Sequence, residues 1–175
     1  MAPESSSFSH LDAHGHARMV DVGAKPETAR VAKARARVRV SAELAQAIRS
    51  QTLAKGDLFA VARLAGIMAA KRTDELIPLC HTLPLDHVDV RLALVMSDGT
   101  GDGSNAEIAI ESEARCTSRT GVEMEALVAA SVAALTVVDM GKAIDKAMTI
   151  HSVEVTEKSG GRSGTWRRVD GGARS

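Results

Sequence analysis

Residues 31–40 read VAKARARVRV, with Lys33, Arg35, Arg37 and Arg39 alternating against Ala32, Ala34, Ala36, Val38 and Val40. A period of two belongs to a β-strand, whose successive side chains face opposite ways. One face of this strand is basic and the other small and apolar. It therefore needs a sheet that is packed on one side and wet on the other. Residues 105–116, NAEIAIESEARC, alternate in the same way, with Glu107, Glu111 and Glu113 on one side and Ile108 and Ile110 on the other.

Two more strands are legible. HVDVRLALVM alternates Val88, Val90, Leu92, Leu94 and Met96, and MTIHSVEVTEK follows the same rule near the end of the chain. SDGTGDGSN at 97–105 reads as a hairpin loop. Between the first two strands, Ser41 suits the N-cap of a short helix running to about Gln51, and Lys55-Gly56 breaks it. Asp57 then caps a second helix, DLFAVARLAGIMAAKR. Pro78 and Pro84 exclude a helix or central strand from LIPLCHTLPLDH. From Thr120, GVEMEALVAASVAALTVVDMGKAIDKA predicts one long alanine-rich helix with Leu127, Val128, Ser131, Val132, Leu135 and Val138 on its apolar or small face.

The resulting order, β-αα-β-β-α-β, predicts an α+β fold of ferredoxin-like plan: a four-stranded antiparallel sheet with its helices on one face. In that plan the first strand lies antiparallel beside the third. The basic face of residues 33–39 should then meet the acidic face of residues 107–113 as a cross-strand charge ladder. Residues 19–158 form one domain, between a loose tail at 1–18 and a glycine-rich, fraying tail at 159–175.

Composition removes several functions. Lys and Arg number 22 against 22 Asp and Glu, and the aromatics are only Phe8, Phe59 and Trp166. A neutral balance and so few stacking rings argue against a nucleic-acid partner, including the RNA-binding domains that share this plan. No uncharged apolar run approaches 18 residues, so no membrane span is expected. The N-terminus lacks a secretory pattern, and two cysteines make no disulfide framework. The expected compartment is the cytoplasm.

Four places can carry chemistry. In Pro78-Leu79-Cys80-His81-Thr82-Leu83-Pro84, two prolines stiffen a loop that presents a thiol and an imidazole. A zinc site there would need His87 and Cys116, without any CxxC or HxxxH pair to support it. Glu123-Met124-Glu125 sits in the first helical turn, where the dipole favours carboxylates. Residues two apart diverge, so at most one of the pair should face a given pocket within a subunit. Asp139, Lys142 and Lys146, spaced i, i+3 and i+7, share a helix stripe, either as surface ion pairs or as a proton-transfer set. Lys25, Arg30, Lys55 and Lys158 lie on loops, and several cations converging would hold a polyphosphate. His10, His14 and His16 read as tail, with no metal assigned.

The stretches Met19-Val20-Asp21-Val22 with Lys25, Lys55-Gly56-Asp57 leading into ARLAGIMAAKRT, Leu76-Ile77-Pro78-Leu79-Cys80-His81, TGVEMEALVAASVAALTVVDM with Lys142-Ala143, and Lys158-Ser-Gly-Gly-Arg-Ser-Gly occur in this order over residues 10–165. Together they resemble the cyclic pyranopterin monophosphate synthase family, the protein C family of molybdenum cofactor biosynthesis. The resemblance implies a ferredoxin-like subunit in a homohexamer, a trimer of dimers with active sites at the dimer interface. It implies a lyase that takes the cyclised dihydro-GTP intermediate to cyclic pyranopterin monophosphate and pyrophosphate. By the same resemblance Asp139, Lys142 and Lys55 are catalytic. Leu79, Cys80, His81, Met124 and Glu125 contact substrate with help from Glu123, and Lys25, Arg30 and Lys158 hold phosphate oxygens. No cofactor is required, although a magnesium ion could assist pyrophosphate departure.

Two departures from the family pattern stand out. Thr82 replaces a proline, which should relax that turn, and Gly141 replaces a larger residue, which should loosen the helix carrying Lys142. The alternative reading is a non-catalytic paralogue that binds a related nucleotide or pterin. Keeping Lys55, Asp139 and Lys142 together opposes it, because binding alone needs no proton-transfer set.

Overall fold

In a computed structural model of the chain, which describes residues 14, 16–96, 106–162 and 164–169, the basic-and-alanine strand is the centre of the sheet. This strand, β1 (Thr28–Val40), is flanked by β3 (Ala106–Ser118) and β4 (Thr149–Ser159). β2 (His87–Met96) lies outside β3, giving the order β2-β3-β1-β4-β5. Every pairing is antiparallel. Of the sequence expectations, most of the N-terminal tail with His10, the 97–105 hairpin loop and the last six residues lie outside the described residues.

The charge ladder forms as the alternation predicts. Lys33 is in register with Glu113, Arg35 with Glu111 and Arg39 with Glu107. The fourth strand supplies a second acidic flank, with Lys33 opposite Glu157 and Arg35 opposite Glu154. The shortest of these ion pairs run to that flank, at 2.6 Å for Arg35–Glu154 and 3.3 Å for Lys33–Glu157, against 3.9 Å for Lys33–Glu113. The opposite face of β1 is buried throughout, from Ala32 to Val40.

The sheet has five strands rather than the four expected. β5 (Trp166–Arg167) pairs with Glu157 and Lys158. It forms because Gly160 and Gly161, at φ of 100° and 70°, turn the chain back along the open edge of β4. A side chain at Gly161 would also run into the Arg30 guanidinium.

On the packed face, Ser41 Oγ accepts from Leu44 N–H to cap α1 (Ala42–Arg49). Asp57 Oδ1 accepts from Ala60 N–H to cap α2 (Leu58–Ala70). A single turn, α3 (Thr73–Leu76), precedes the proline-flanked loop. α4 (Glu123–Gly141) lies over β1, β3 and β4, while α2 lies over β2 and against α4.

α4 corrects the sequence reading twice. It ends at Gly141 instead of running to Ala147, so Lys142 is its C-cap and Lys146 leaves the stripe shared with Asp139. Its buried face is also different, running through Ala126, Ala129, Ala130, Ala133, Ala134 and Val137. Of the six residues expected inside, only Val128 is buried, and Leu135 is 58% exposed. The helix is apolar on every side, so hydrophobicity alone does not orient it. The small side chains of Ala32, Ala34 and Ala36 beneath it favour its alanine face, which permits the closest approach. α4 is also long and apolar enough to span a bilayer by composition, but it packs here as the core helix of the sheet.

Candidate active site

Lys55 stands in the loop before α2, where Gly56 at φ 85° turns the chain, and its ammonium reaches the far end of α4. Lys55 Nζ donates to Asp139 Oδ2 at 3.0 Å and to the Asp139 carbonyl at 2.9 Å, while Lys142 Nζ donates to Asp139 Oδ1 at 2.6 Å. One carboxylate therefore joins two ammonium groups. The hydrogen bond from Lys142, then that from Lys55, holds Asp139 below the usual carboxylate range. The cluster is open to solvent and contains two groups able to carry protons, set by a third that stays ionised.

Gly141 does not loosen this turn. A Cβ there would fall 2.7 Å from Leu44 Cδ2 and 3.1 Å from Met148 Cε, so the glycine lets the end of α4 close on α1.

The other expected site residues gather at the opposite end of α4. A cavity of about 430 Å³ is lined by Leu79, Cys80, His81, Glu123, Met124 and Glu125, with Lys25 at its edge. A second cavity, of about 450 Å³, shares Lys25 and Glu123 with it and adds Arg30 and Lys158. Glu123 and Glu125 thus line one cavity, contrary to the divergence expected of residues two apart. Glu123 is the first residue of the helix, and its carboxylate folds back over Gly121 to take a 2.9 Å ion pair from Lys158.

Glu125 is 4% exposed. Burial, with Glu123 and Asp74 adding like charge and its own backbone N–H opposing, raises its carboxyl to about 7. Near neutral pH it is a mixed population of acid and carboxylate, able to donate as well as accept. Burial likewise raises the Cys80 thiol, helped by the charges of Glu125 and Asp74. It is a neutral contact rather than a thiolate nucleophile. His81 Nε2 lies 2.8 Å from the Val20 carbonyl, which can only accept. The proton is therefore on Nε2, and in the neutral ring Nδ1 is left as an acceptor.

The zinc alternative does not assemble. Cys116 is buried at the end of β3 with its thiol on Ser118 Oγ, and among the described residues no three His, Cys, Asp or Glu side chains gather as a metal site.

The sequence pattern of the MoaC family matches residues 19–161, which takes in Lys55, Asp139 and Lys142 and all of the cavity residues named above. The chain belongs to the MoaC family. It is similar to the cyclic pyranopterin monophosphate synthase of Thermomicrobium roseum, 56% identical over 97% of this chain and 98% of the relative. The synthase of Novosphingobium aromaticivorans is 52% identical over 94% and 99%, and that of Desulfitobacterium hafniense 51% over 93% and 95%.

In this MoaC family chain the structure adds residues that sequence reasoning passed over. Arg119 and Arg162 line the basic cavity, and Arg119 stands 3.6 Å from Glu27. Arg162 lay inside the glycine-rich run and Arg119 just before Thr120-Gly121, so proximity to a turn was the available signal. Asp74, on α3, accepts from Thr82 Oγ1 at 2.5 Å. The Thr82 hydroxyl thus ties the loop of Leu79, Cys80 and His81 to α3 instead of freeing it.

Proposed function

We propose that the chain is a cyclic pyranopterin monophosphate synthase acting early in molybdenum cofactor biosynthesis. It converts 3',8-cyclo-7,8-dihydro-GTP to cyclic pyranopterin monophosphate with release of pyrophosphate, as a phosphorus–oxygen lyase. The observation that carries this reading is the placement of Lys55 and Lys142 on separate oxygens of the Asp139 carboxylate. A module that only bound a nucleotide would have no use for that set.

Forming the cyclic phosphate requires a substrate hydroxyl to attack the innermost phosphorus while the bond to pyrophosphate breaks. Lys25, Arg30 and Lys158, joined by Arg119 and Arg162, neutralise the departing charge from the basic cavity. A magnesium ion arriving on the phosphates would add to that neutralisation, and no resident cofactor is invoked. In the neighbouring cavity, the mixed acid and carboxylate of Glu125 and the acceptor Nδ1 of His81 suit the ring and amino N–H groups of a guanine-derived edge. Leu79, Cys80 and Met124 pack its faces. Lys142 and Lys55 move protons as rings open and close, and Asp139 orients both.

Within one subunit these halves lie at opposite ends of α4. Glu123 and Asp139 are 16 positions apart, about 24 Å at the helical rise. Two subunits related by a two-fold axis, with their α4 helices side by side and antiparallel, would bring the lysine cluster of one to the cavities of the other. Val61, Leu64 and Met68 on α2 and Leu135 on α4 are large, apolar and exposed, as such a contact requires. This supports active sites at a dimer interface, and a homohexamer built as a trimer of such dimers. The order of the four long strands, with β1 between β3 and β4, supports a ferredoxin-like plan extended by β5. Free Cys80 and Cys116 suit a reducing cytoplasm.

The test is a single-turnover assay with the cyclised dihydro-GTP, following pyrophosphate and pterin product for wild type and Lys142→Ala. Turnover abolished by the substitution is expected. Tight binding without turnover in the wild type would favour the non-catalytic paralogue.

A further inference from the structure

Asp145 is a buried carboxylate that none of the chemistry above uses. It lies in the turn after α4, is 7% exposed, and commits both oxygens to backbone donors. Oδ2 accepts from Ser41 N–H at 2.7 Å, across 104 positions of sequence, and Oδ1 accepts from Ala147 N–H at 2.9 Å. Its own N–H donates to the Gly141 carbonyl at 3.0 Å.

Those partners belong to the two stretches of backbone that carry the lysine cluster. Ser41 caps α1, which leads directly into the loop of Lys55, and Gly141 closes the helix turn that carries Asp139 and Lys142. The cluster cannot hold this geometry by itself. The side chains of Lys55, Asp139 and Lys142 are 47%, 59% and 61% exposed, and ion pairs that open to water are worth little. A buried, doubly satisfied carboxylate joining the N-terminus of α1 to the turn after α4 resists displacement far better.

We propose that Asp145 is the positioning residue of the Lys55–Asp139–Lys142 cluster, a tie between α1 and the end of α4 that sets the reach of Lys55 onto Asp139. The proposal rests on the catalytic reading of that cluster. It goes beyond it by assigning the geometry to a residue that touches none of the three side chains' charged atoms.

The tie can be cut from either end. Asp145→Asn keeps the shape and one acceptor but turns an amide donor toward a backbone donor. Ser41→Pro removes the N–H at a position whose φ of −69° suits proline, after a residue in extended strand conformation. Ser41→Ala keeps that N–H and loses only the helix cap, so it controls for lost stability. Turnover of the cyclised dihydro-GTP should fall about 10- to 100-fold in kcat for Asp145→Asn and Ser41→Pro, with KM within about twofold, as a displaced catalytic group predicts. Ser41→Ala should keep the wild-type kcat.

A second readout needs no turnover. Amine acylation of the resting protein, followed by mass spectrometry with Lys71 as reference, should label Lys55 several-fold faster in Ser41→Pro than in Ser41→Ala. Equal kcat values for those two variants, a loss confined to KM, or equal labelling of Lys55 would overturn the proposal. A wild type without turnover whose Lys55 labelling still separates the two variants would reject the catalytic reading and keep the tie. If Asp145→Asn does not fold, the Ser41 pair decides.

Discussion

Lys55 Nζ lies 3.0 Å from Asp139 Oδ2, although 84 positions of sequence separate the two residues. The aspartate spends its other oxygen on Lys142, so each ammonium has its own acceptor. Replacing Lys142 by alanine should lower the single-turnover rate of pyrophosphate release by about 10²- to 10⁴-fold, the range of a lost proton-transfer group. Substrate affinity, measured by calorimetry, should fall much less than the rate, because the substitution changes none of the residues that line the two cavities.

Glu125 should make the fold less stable as pH rises. Its folded value of about 7 lies above the unfolded glutamate value. The folded state therefore binds the extra proton between about pH 4.5 and 7, and the stability linked to that proton is lost as pH climbs through this window. Glu125→Gln removes the titration. Denaturant melts should show the variant equal to wild type near pH 5 and more stable at pH 8, by up to about 3 kcal/mol. A pH-independent difference would contradict the assignment.

Thr82→Val deletes the hydroxyl that bonds Asp74 while keeping the side-chain shape. The bond is exposed, so the loss of stability should be only about 0.5–1 kcal/mol. Its effect should appear in KM, rising roughly threefold as the loop of Leu79, Cys80 and His81 loses its anchor, an increase equivalent to a comparable free energy. Steady-state kinetics would show this with kcat little changed.

Gly66→Ala should be among the most damaging small substitutions. A Cβ at this position of α2 would lie 2.7 Å from the backbone oxygen of Ala129 on α4, and 3.2 Å from Val90 Cγ2. A backbone atom cannot rotate away, so the two helices must part. Chemical denaturation should show a loss of about 1–3 kcal/mol, although alanine is the better helix former.

Arg119→Ala should weaken the binding of inorganic triphosphate several-fold, since a cation is lost from the basic cavity. Glu27→Ala should strengthen it, because Glu27 competes for the same guanidinium at 3.6 Å. Calorimetry at two salt concentrations would separate this from general charge screening.

Much of the fold was legible because its signals are local. The alternation of Lys33, Arg35, Arg37 and Arg39 with alanine and valine, the caps at Ser41 and Asp57, and the prolines around Cys80 each act within a few residues. The buried side of α4 was not legible. Leu135 is exposed and Leu127 only partly buried, yet the helix turns its alanines fully inward because the strand beneath it is built of alanine and valine. The end of the helix was misplaced for a related reason. Residues 142–147 have helical composition, but the bonds of Asp145 to Ser41 and Ala147 draw the chain out of the helix.

The sequence by itself determined the strands and most of the helices, the antiparallel pairing of a basic with an acidic strand, and the residue types the chemistry uses. Local periodicity and capping dictate those, and the family motifs name the residues. Only the tertiary structure decided that Lys55 meets Asp139, that Glu123 folds back onto Lys158, and that the lysine cluster and the two cavities stand at opposite ends of one helix. Each of these depends on how closely alanine faces and glycines let elements approach. That distance is set jointly by residues remote in sequence, and no single segment encodes it.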